Sequence, residues 1–235
     1  MMASLPDGYT AIVFGATGGI GRAFVERLEA DPRCGAVIAL HRASTPPIEL
    51  TDEAGIAEAA AVVRARAATV HLIVDATGIL LTDGHRPEKR LAELDPAVMA
   101  RQFAVNATGP ALLLKHFADL LPRRDRGIFA TLSARVGSIE DNRRGGWISY
   151  RSAKAALNQV VRTAAIELRW RRPGVVCVAL QPGTVATPLS APFRRDEEGV
   201  LQPGEAAGRL LAVLDRLEPG TSGGLFDHAG ERIPG

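Results

Sequence analysis

The chain has 235 residues, 46% of them hydrophobic and 23% charged, with a formal net charge of +2 when the histidines are neutral. That size and apolar content suit one substantial core and exclude disorder as the general state, and the near-balanced charge offers no nucleic-acid surface. No stretch approaches the ~20 apolar residues of a membrane span and the first residues carry no apolar signal core, so a soluble, cytoplasmic protein of a single domain, residues 1–235, is expected.

Short β-rich apolar runs alternate with longer amphipathic stretches, the pattern of a parallel sheet covered by helices. Thr10 to Phe14 reads as the first strand, followed by a glycine-rich turn and a helix to about Glu29. Val37 to Leu40 is a second strand, and a short third is expected near Pro47 to Leu50, before a helix whose N-cap is Thr51 or Asp52. His71 to Val74, apolar as a strand covered on both sides should be, is the fourth. A long helical region from Asp95 to Leu121 is interrupted near Gly109-Pro110. Ile128 to Leu132 is a strand, a helix then runs to about Trp170, and Val175 to Leu180 is a strand again. Pro203 to Leu217 reads as a helix opened by its proline, and Gly224 to Phe226 as the last strand. The expected fold is α/β, a Rossmann-type doubly wound parallel sheet of about seven strands with helices on both faces.

Among the remaining polar groups, the arginines at 123, 124 and 126, and at 169, 171 and 172, fall near helix ends, where solvated cations suit the helix dipole. Cys34 and Cys177 are far apart and read as reduced, packed thiols. The five histidines show no zinc spacing, so no metal is assigned.

The segment Gly15-Ala16-Thr17-Gly18-Gly19-Ile20-Gly21 lies between a strand and a helix, the context in which a glycine-rich turn admits a pyrophosphate to the helix N-terminus. Gly15, Gly19 and Gly21 fit G-x-x-x-G-x-G, while Gly15, Gly18 and Gly21 fit G-x-x-G-x-x-G, so spacing leaves two related dinucleotide-binding groups open. At the end of the second strand, where a carboxylate would bind the ribose hydroxyls and repel a 2′-phosphate, the chain has His41-Arg42-Ala43-Ser44. Arg42, assisted by Ser44, suits a 2′-phosphate, which favours NADP(H) with NAD(H) as the alternative.

Tyr150 and Lys154 stand four residues apart in a predicted helix, in a chain with only two tyrosines and three lysines. On one helical face the ammonium favours the phenolate, which lowers the phenol's pKa from about 10 and makes proton exchange practical near neutrality.

A nucleotide turn at the N-terminus followed by Tyr150-x-x-x-Lys154 resembles the short-chain dehydrogenase/reductase family, in its single-domain form and close to the C-factor-like subgroup. Asp75-Ala76-Thr77-Gly78 stands where the family usually has Asn-Asn-Ala-Gly, with Thr77 or Asp75 expected to replace the lost hydrogen bonds. Phe103-Ala104-Val105-Asn106 matches the family's helix asparagine, and Pro182-Gly183-Thr184-Val185-Ala186-Thr187 its Pro-Gly-x-x-x-Thr segment. For the family's serine, counting along the strand from Ile128 selects Ser133, counting back from Gly137 selects Ala134, and Ser138 is a third candidate. Ser133 is preferred because a strand end fixes position better than a loop.

The resemblance implies reversible hydride transfer between nicotinamide and a carbonyl or secondary alcohol of a small molecule. Tyr150 is the implied general acid and base, Lys154 tunes it and holds the nicotinamide ribose, Ser133 binds the substrate oxygen, and Asn106 ties a water to the lysine. Gly15, Thr17, Gly19, Ile20, Gly21, Arg42, Ser44, Ala76, Thr77, Gly78, Pro182, Gly183, Val185 and Thr187 are the implied cofactor contacts, with Tyr150 and Lys154. It also implies a homodimer or homotetramer through the two long helix regions, whose apolar stripes are wide. Pro188 to Gln202, with Leu189, Phe193 and Leu201, is the expected apolar-lined lid, and Arg135, Arg143, Arg144 and Trp147 are candidates for the border of the site. A second function of another class is a C-factor-like nucleotide-binding signalling protein with weak or no turnover. The short chain after Lys154 disfavours a third, a nucleotide-sugar epimerase.

Overall fold

The computed structural model describes residues 2–82, 84–193 and 199–235. A seven-stranded sheet is built from β1 (Tyr9–Phe14), β2 (Cys34–Leu40), β3 (Leu72–Asp75), β4 (Gly127–Leu132), β5 (Val175–Gln181), β6 (Leu225–Asp227) and β7 (Arg232–Ile233), in the order β2-β1-β3-β4-β5-β6-β7. The pairs from β2 through β6 are parallel, and β7 runs antiparallel to β6. The helices are α1 (Gly19–Glu29), α2 (Glu53–Arg66), α3 (Pro96–Phe103), α4 (Gly109–Phe117), α5 (Ile148–Arg171) and α6 (Pro203–Arg216).

Strand alternation sorts the core into two layers. Ile12, Phe14, Ile73, Phe129 and Cys177 point to one face, against Ile56 of α2, Phe117 of α4 and Leu157 and Val161 of α5. Phe14 and Phe117 meet edge to face with centroids 4.8 Å apart. Ala11, Val13, Leu72, Val74, Ile128 and Val176 point to the other, against Phe24 and Leu28 of α1 and Leu210 and Leu214 of α6. This is the doubly wound α/β fold. Because β1 lies between β2 and β3, the chain leaves it in opposite directions, and a crevice opens beyond the strand ends at that switch point.

Three sequence expectations change. Pro47 to Leu50 is no strand: Pro46 and Pro47 have no N–H to give a ladder, and the segment is an irregular wall that buries Ile48 and Leu50. The seventh strand is instead Arg232–Ile233, too short to show a period in sequence. The long helical region continues through Gly109-Pro110, and a π-helical segment, Ala104–Thr108, lies just before them. Pro110 sits in the first turn of α4, where its missing N–H costs little.

The arginine expectation also changes for two residues. Arg172 is buried and donates from Nη2 to Asp119 O at 3.0 Å, and from Nη1 to Leu121 O. Arg126 donates from Nη2 to Leu214 O and Leu217 O at 3.0 and 2.5 Å. Both therefore satisfy free carbonyls at the ends of other helices. Among the described residues no helix is long and apolar enough to cross a membrane.

Of the two N-cap candidates, Asp52 caps α2, its Oδ1 accepting from Gly55 N at 3.1 Å. Asp52→Ala should lower the unfolding free energy by about 1 kcal/mol, seen as a lower urea midpoint at unchanged slope. An unchanged midpoint would mean that the cap contributes nothing.

Candidate active site

Two cavities lie over the C-terminal ends of the strands. One, of about 260 Å³, lies beyond β2, β1 and β3 and is bordered by Gly15, Thr17, Arg42, Ala76, Thr77 and Gly78. The other, of about 270 Å³, lies beyond β4 and β5 and is bordered by Ile20, Ser133, Tyr150, Pro182, Gly183, Val185 and Thr187. The N-terminus of α1 separates them. Gly21 packs so tightly on the end of β1 that a Cβ there would lie 2.1 Å from Gly15 O, and one on Gly19 would lie 2.6 Å from Thr187 Cγ2. Gly15, at φ +72°, makes the turn that permits this approach. Gly19, Gly21, Ser44, Asn106 and Lys154 border neither cavity and act, where they act, from behind the walls.

Tyr150 lies in the first turn of α5, and that turn is held from a distance. Glu88, buried, accepts from Ser149 N at 3.3 Å and from Ser149 Oγ, and its carbonyl accepts from Trp147 N. Trp147 precedes the helix in a left-handed conformation, φ 54°. Its ring meets Tyr150 and Phe193 edge to face at 6.1 and 5.2 Å, and Arg86 lies 5.9 Å over the Phe193 ring. These rings form an apolar wall beside the phenol.

Lys154 is buried behind Tyr150, its Nζ donating to Leu132 O at 2.8 Å and lying 5.9 Å from the centre of the tyrosine ring. Burial pushes the ammonium down to about 8, partly opposed by the charge of Asp75. Burial also pushes the Tyr150 phenol up to about 12. The sequence expectation of a depressed phenol pKa is thus not met. Nζ is directed at Leu132 O and stands off the ring, so desolvation outweighs its attraction for the phenolate.

Of the three serine-site candidates, Ser133 and Ala134 border the cavity with Tyr150. Ser138 is turned away, donating to Gly235 O and accepting from Asp141 N, both at 3.0 Å. Ser133 Oγ donates to Asn158 Oδ1 at 2.7 Å. If the Asn158 amide turns over, it becomes a donor and releases the serine proton toward the cavity.

Asn106, in the π-helical segment, holds the loop after β3. Its Oδ1 accepts from Ile79 N at 3.1 Å, and its Nδ2 donates to Ile79 O and Gln102 Oε1 at 2.9 and 2.6 Å. Its side chain makes no hydrogen bond to Lys154 among the described residues. Asp75 and Thr77, the residues expected to replace the lost hydrogen bonds, bond to each other, Asp75 Oδ1 accepting from Thr77 N at 3.0 Å and Thr77 Oγ1 at 2.5 Å.

At the adenosine end, Ser44 does not reach the cavity. Its hydroxyl donates within the turn to His41 O and Pro46 O, each at 2.7 Å, and accepts from His41 N. Arg42 has no ion pair among the described residues and shares the cavity with Arg101 of α3 and with Glu49. Of the proposed border residues, Arg135 and Trp147 line the second cavity and Arg143 and Arg144 do not. In the expected lid, Leu189 and Phe193 face the cavity, Leu201 packs with Val185 and Ala206, and residues 194–198 lie outside the described residues.

Sequence reading overlooked Glu88, Gln102, Asn158 and Arg101. Gln102 precedes Asn106 by four, and Asn158 follows Lys154 by four, so helical spacing held that signal. Glu88, distant in sequence from the helix it holds, had none.

A family model described as short chain dehydrogenase matches residues 39–198. The chain belongs to the short-chain dehydrogenase/reductase family. It is accordingly an NAD(P)-dependent oxidoreductase. The C-signal of Myxococcus xanthus is 37% identical over 147 residues, 61% of this chain and 82% of that protein. The 1-hydroxy-2-glutathionyl-2-methyl-3-butene dehydrogenase of a Rhodococcus strain is 30% identical over 78% of this chain and 76% of its own. The fold matches an NADPH-bound carbonyl reductase from chicken fatty liver with a TM-score of 0.84, at 24% identity, over 99% of this chain and 96% of that one.

In this short-chain dehydrogenase the glycine turn and the segment ending at Thr187 interlock, which gives a test. Gly19→Ala should weaken NADPH binding by about fivefold or more, since overpacking costs about 1–3 kcal/mol, and adding Thr187→Ser, which removes the obstructing methyl, should restore part of it. Unchanged affinity in Gly19→Ala, by fluorescence titration, would show that the contact does not shape the crevice.

Proposed function

We propose that the protein is an NADP(H)-dependent oxidoreductase of carbonyl compounds or secondary alcohols in which Tyr150 is the general acid and base. The observation that carries this reading is the phenol on the wall of a largely apolar cavity, beside the glycine crevice and in front of a buried ammonium. The residues suit a dinucleotide: Gly19 leaves no room for a side chain at the start of α1, whose free N–H groups favour an anion, and Arg42, beside the crevice, has no ion pair among the described residues. Gly15 to Gly21 and Ala76 to Gly78 would hold it, with Pro182 to Thr187 on the nicotinamide side. A nicotinamide held there would supply or accept the hydride.

The chain's own residues manage the oxygen and the proton. In reduction Tyr150 Oη gives its proton to the oxygen as charge develops there, and in oxidation it takes the proton back. Among the described residues no protein group hydrogen-bonds that hydroxyl, which leaves it free for substrate. Ser133, once Asn158 turns to donate, gives a hydrogen bond to the same oxygen and keeps its own proton. Lys154 sets the electrostatics behind the phenol, and Asn106 and Gln102 keep the loop after β3 in place. Trp147, Phe193 and Leu189 favour an apolar substrate body and exclude water from the reacting atoms.

NADP(H) is preferred because two guanidinium groups, Arg42 and Arg101, oppose one carboxylate, Glu49, which also accepts from Thr51. The chicken carbonyl reductase is NADPH-bound and a Burkholderia multivorans relative in fold is NADP-bound, in keeping with that preference. Association into a dimer or tetramer is supported by Ile166 and Trp170, large apolar side chains exposed on α5. Light scattering that gives a monomer would end that part of the reading.

The likeness to the C-signal favours a second reading, a nucleotide-binding signalling protein with little turnover. NADPH oxidation over a panel of aldehydes and ketones separates the two. Turnover is expected, and Tyr150→Phe should reduce it by about 10²–10⁴-fold. Activity of that variant within tenfold of wild type would remove the phenol from the mechanism. Arg42→Asp should weaken NADPH binding and leave NADH little changed or improved, and an unaltered preference would refute the role of Arg42.

A further inference from the structure

Asp75 stands where the family usually has a neutral asparagine, and its side chain is fully buried at the end of β3. Three donors converge on its carboxyl: Thr77 N at 3.0 Å and Thr77 Oγ1 at 2.5 Å on Oδ1, and Thr131 Oγ1 at 2.7 Å on Oδ2. Neither hydroxyl has another acceptor among the described residues, so both protons are directed at the carboxyl, an arrangement that favours the ionised form. Lys154, also buried, donates to Leu132 O, the residue after Thr131, and has no ion pair within 4 Å among the described residues. The loop that Asp75 closes runs past the ammonium: a Cβ on Gly78 would lie 3.7 Å from Nζ. An isolated ammonium in such an interior is costly, and a carboxylate anchored to the same strand end is what offsets it.

We propose that Asp75 is the ionised counter-charge of Lys154, a positioning residue that keeps the lysine protonated in the closed interior and so acts on the phenol and the nucleotide through it. An asparagine would keep the hydrogen bonds to Thr77 and lose the charge. Other ionisable groups around the pair are otherwise engaged. Tyr150 lies in front of the lysine on α5, Glu88 is bound to Ser149, and Arg135 after β4 pairs with Asp141 and Asp227. Burial raises the Asp75 carboxyl above the ordinary carboxylate range, opposed by the hydrogen bonds from Thr77 and Thr131 and by the charge of Lys154, and Asp75 in turn raises Lys154 against its own burial.

This inference rests on the reading of Lys154 as part of the active site, yet its test needs no turnover. The chain has three lysines, so 13Cε-labelled protein without nucleotide gives three signals, assigned by Lys89→Arg and Lys115→Arg. The Lys154 midpoint should fall by about one pH unit or more in Asp75→Asn, because a negative charge that raised the pKa has been removed. Thr131→Val, which withdraws one donor from the carboxylate, should move it in the same direction by less and serves if Asp75→Asn does not fold. A midpoint within 0.3 unit (about twofold in the proton equilibrium) of wild type in the folded variant overturns the proposal. In the same Asp75→Asn protein the alkaline limb of kcat/KM for NADPH oxidation should move down by the same interval, and a limb that stays put overturns the link to catalysis. Failure of the panel assay with the midpoint shift intact would instead count against the oxidoreductase reading alone.

Discussion

The crevice of this protein exists because one helix presses against a strand end with no side chain between them. Gly21 lies where a Cβ would be 2.1 Å from Gly15 O, and Gly19 where it would be 2.6 Å from Thr187 Cγ2. With that approach closed, the first N–H groups of α1 stand at the switch point of the sheet, between the two cavities. A side chain at Gly21 would push α1 off the end of β1, and α1 carries Phe24 and Leu28 into the core layer it shares with α6. Site and core thus share one steric constraint.

A second constraint is electrostatic. The interior beyond β3 and β4 contains an ammonium, a carboxyl and a phenol in a region made apolar by two packed helix layers. Burial moves the lysine down and the tyrosine up, so the nearby cation alone does not ionise the phenol. The buried hydrogen bonds around these groups belong to the same balance. Asp75, Thr77 and Thr131 form one such set, and Asn106 with Gln102 and Ile79 forms another. Both tie the loop after β3 to elements far away in sequence.

Much of the fold was legible from pattern. Strands covered on both faces read as apolar runs, and helices as periodic ones, so β1, β4, β5, α5 and α6 agree with expectation to within a residue or two. Legibility ended where the period was too short or the chemistry was nonlocal. Pro47 to Leu50 had strand-like residues and no donors for a ladder, while Arg232–Ile233 had two residues and no period at all. Arg126 and Arg172 looked like solvated helix ends and proved to satisfy carbonyls of other helices. Ser44 had suitable chemistry for a phosphate, but its hydroxyl closes its own turn.

The amino-acid sequence by itself determined the α/β alternation, the glycine turn, the pairing of Tyr150 with Lys154 and the family, because each is a local spacing that physical chemistry interprets without knowledge of the fold. Only the tertiary structure decided that Glu88 holds the start of α5, that Ser133 faces Asn158, that Arg101 joins Arg42, and that Asp75 and Lys154 share one interior. Those relations depend on which strand ends meet across the sheet, and a charge or hydrogen bond between residues far apart in the chain leaves no periodic trace along it.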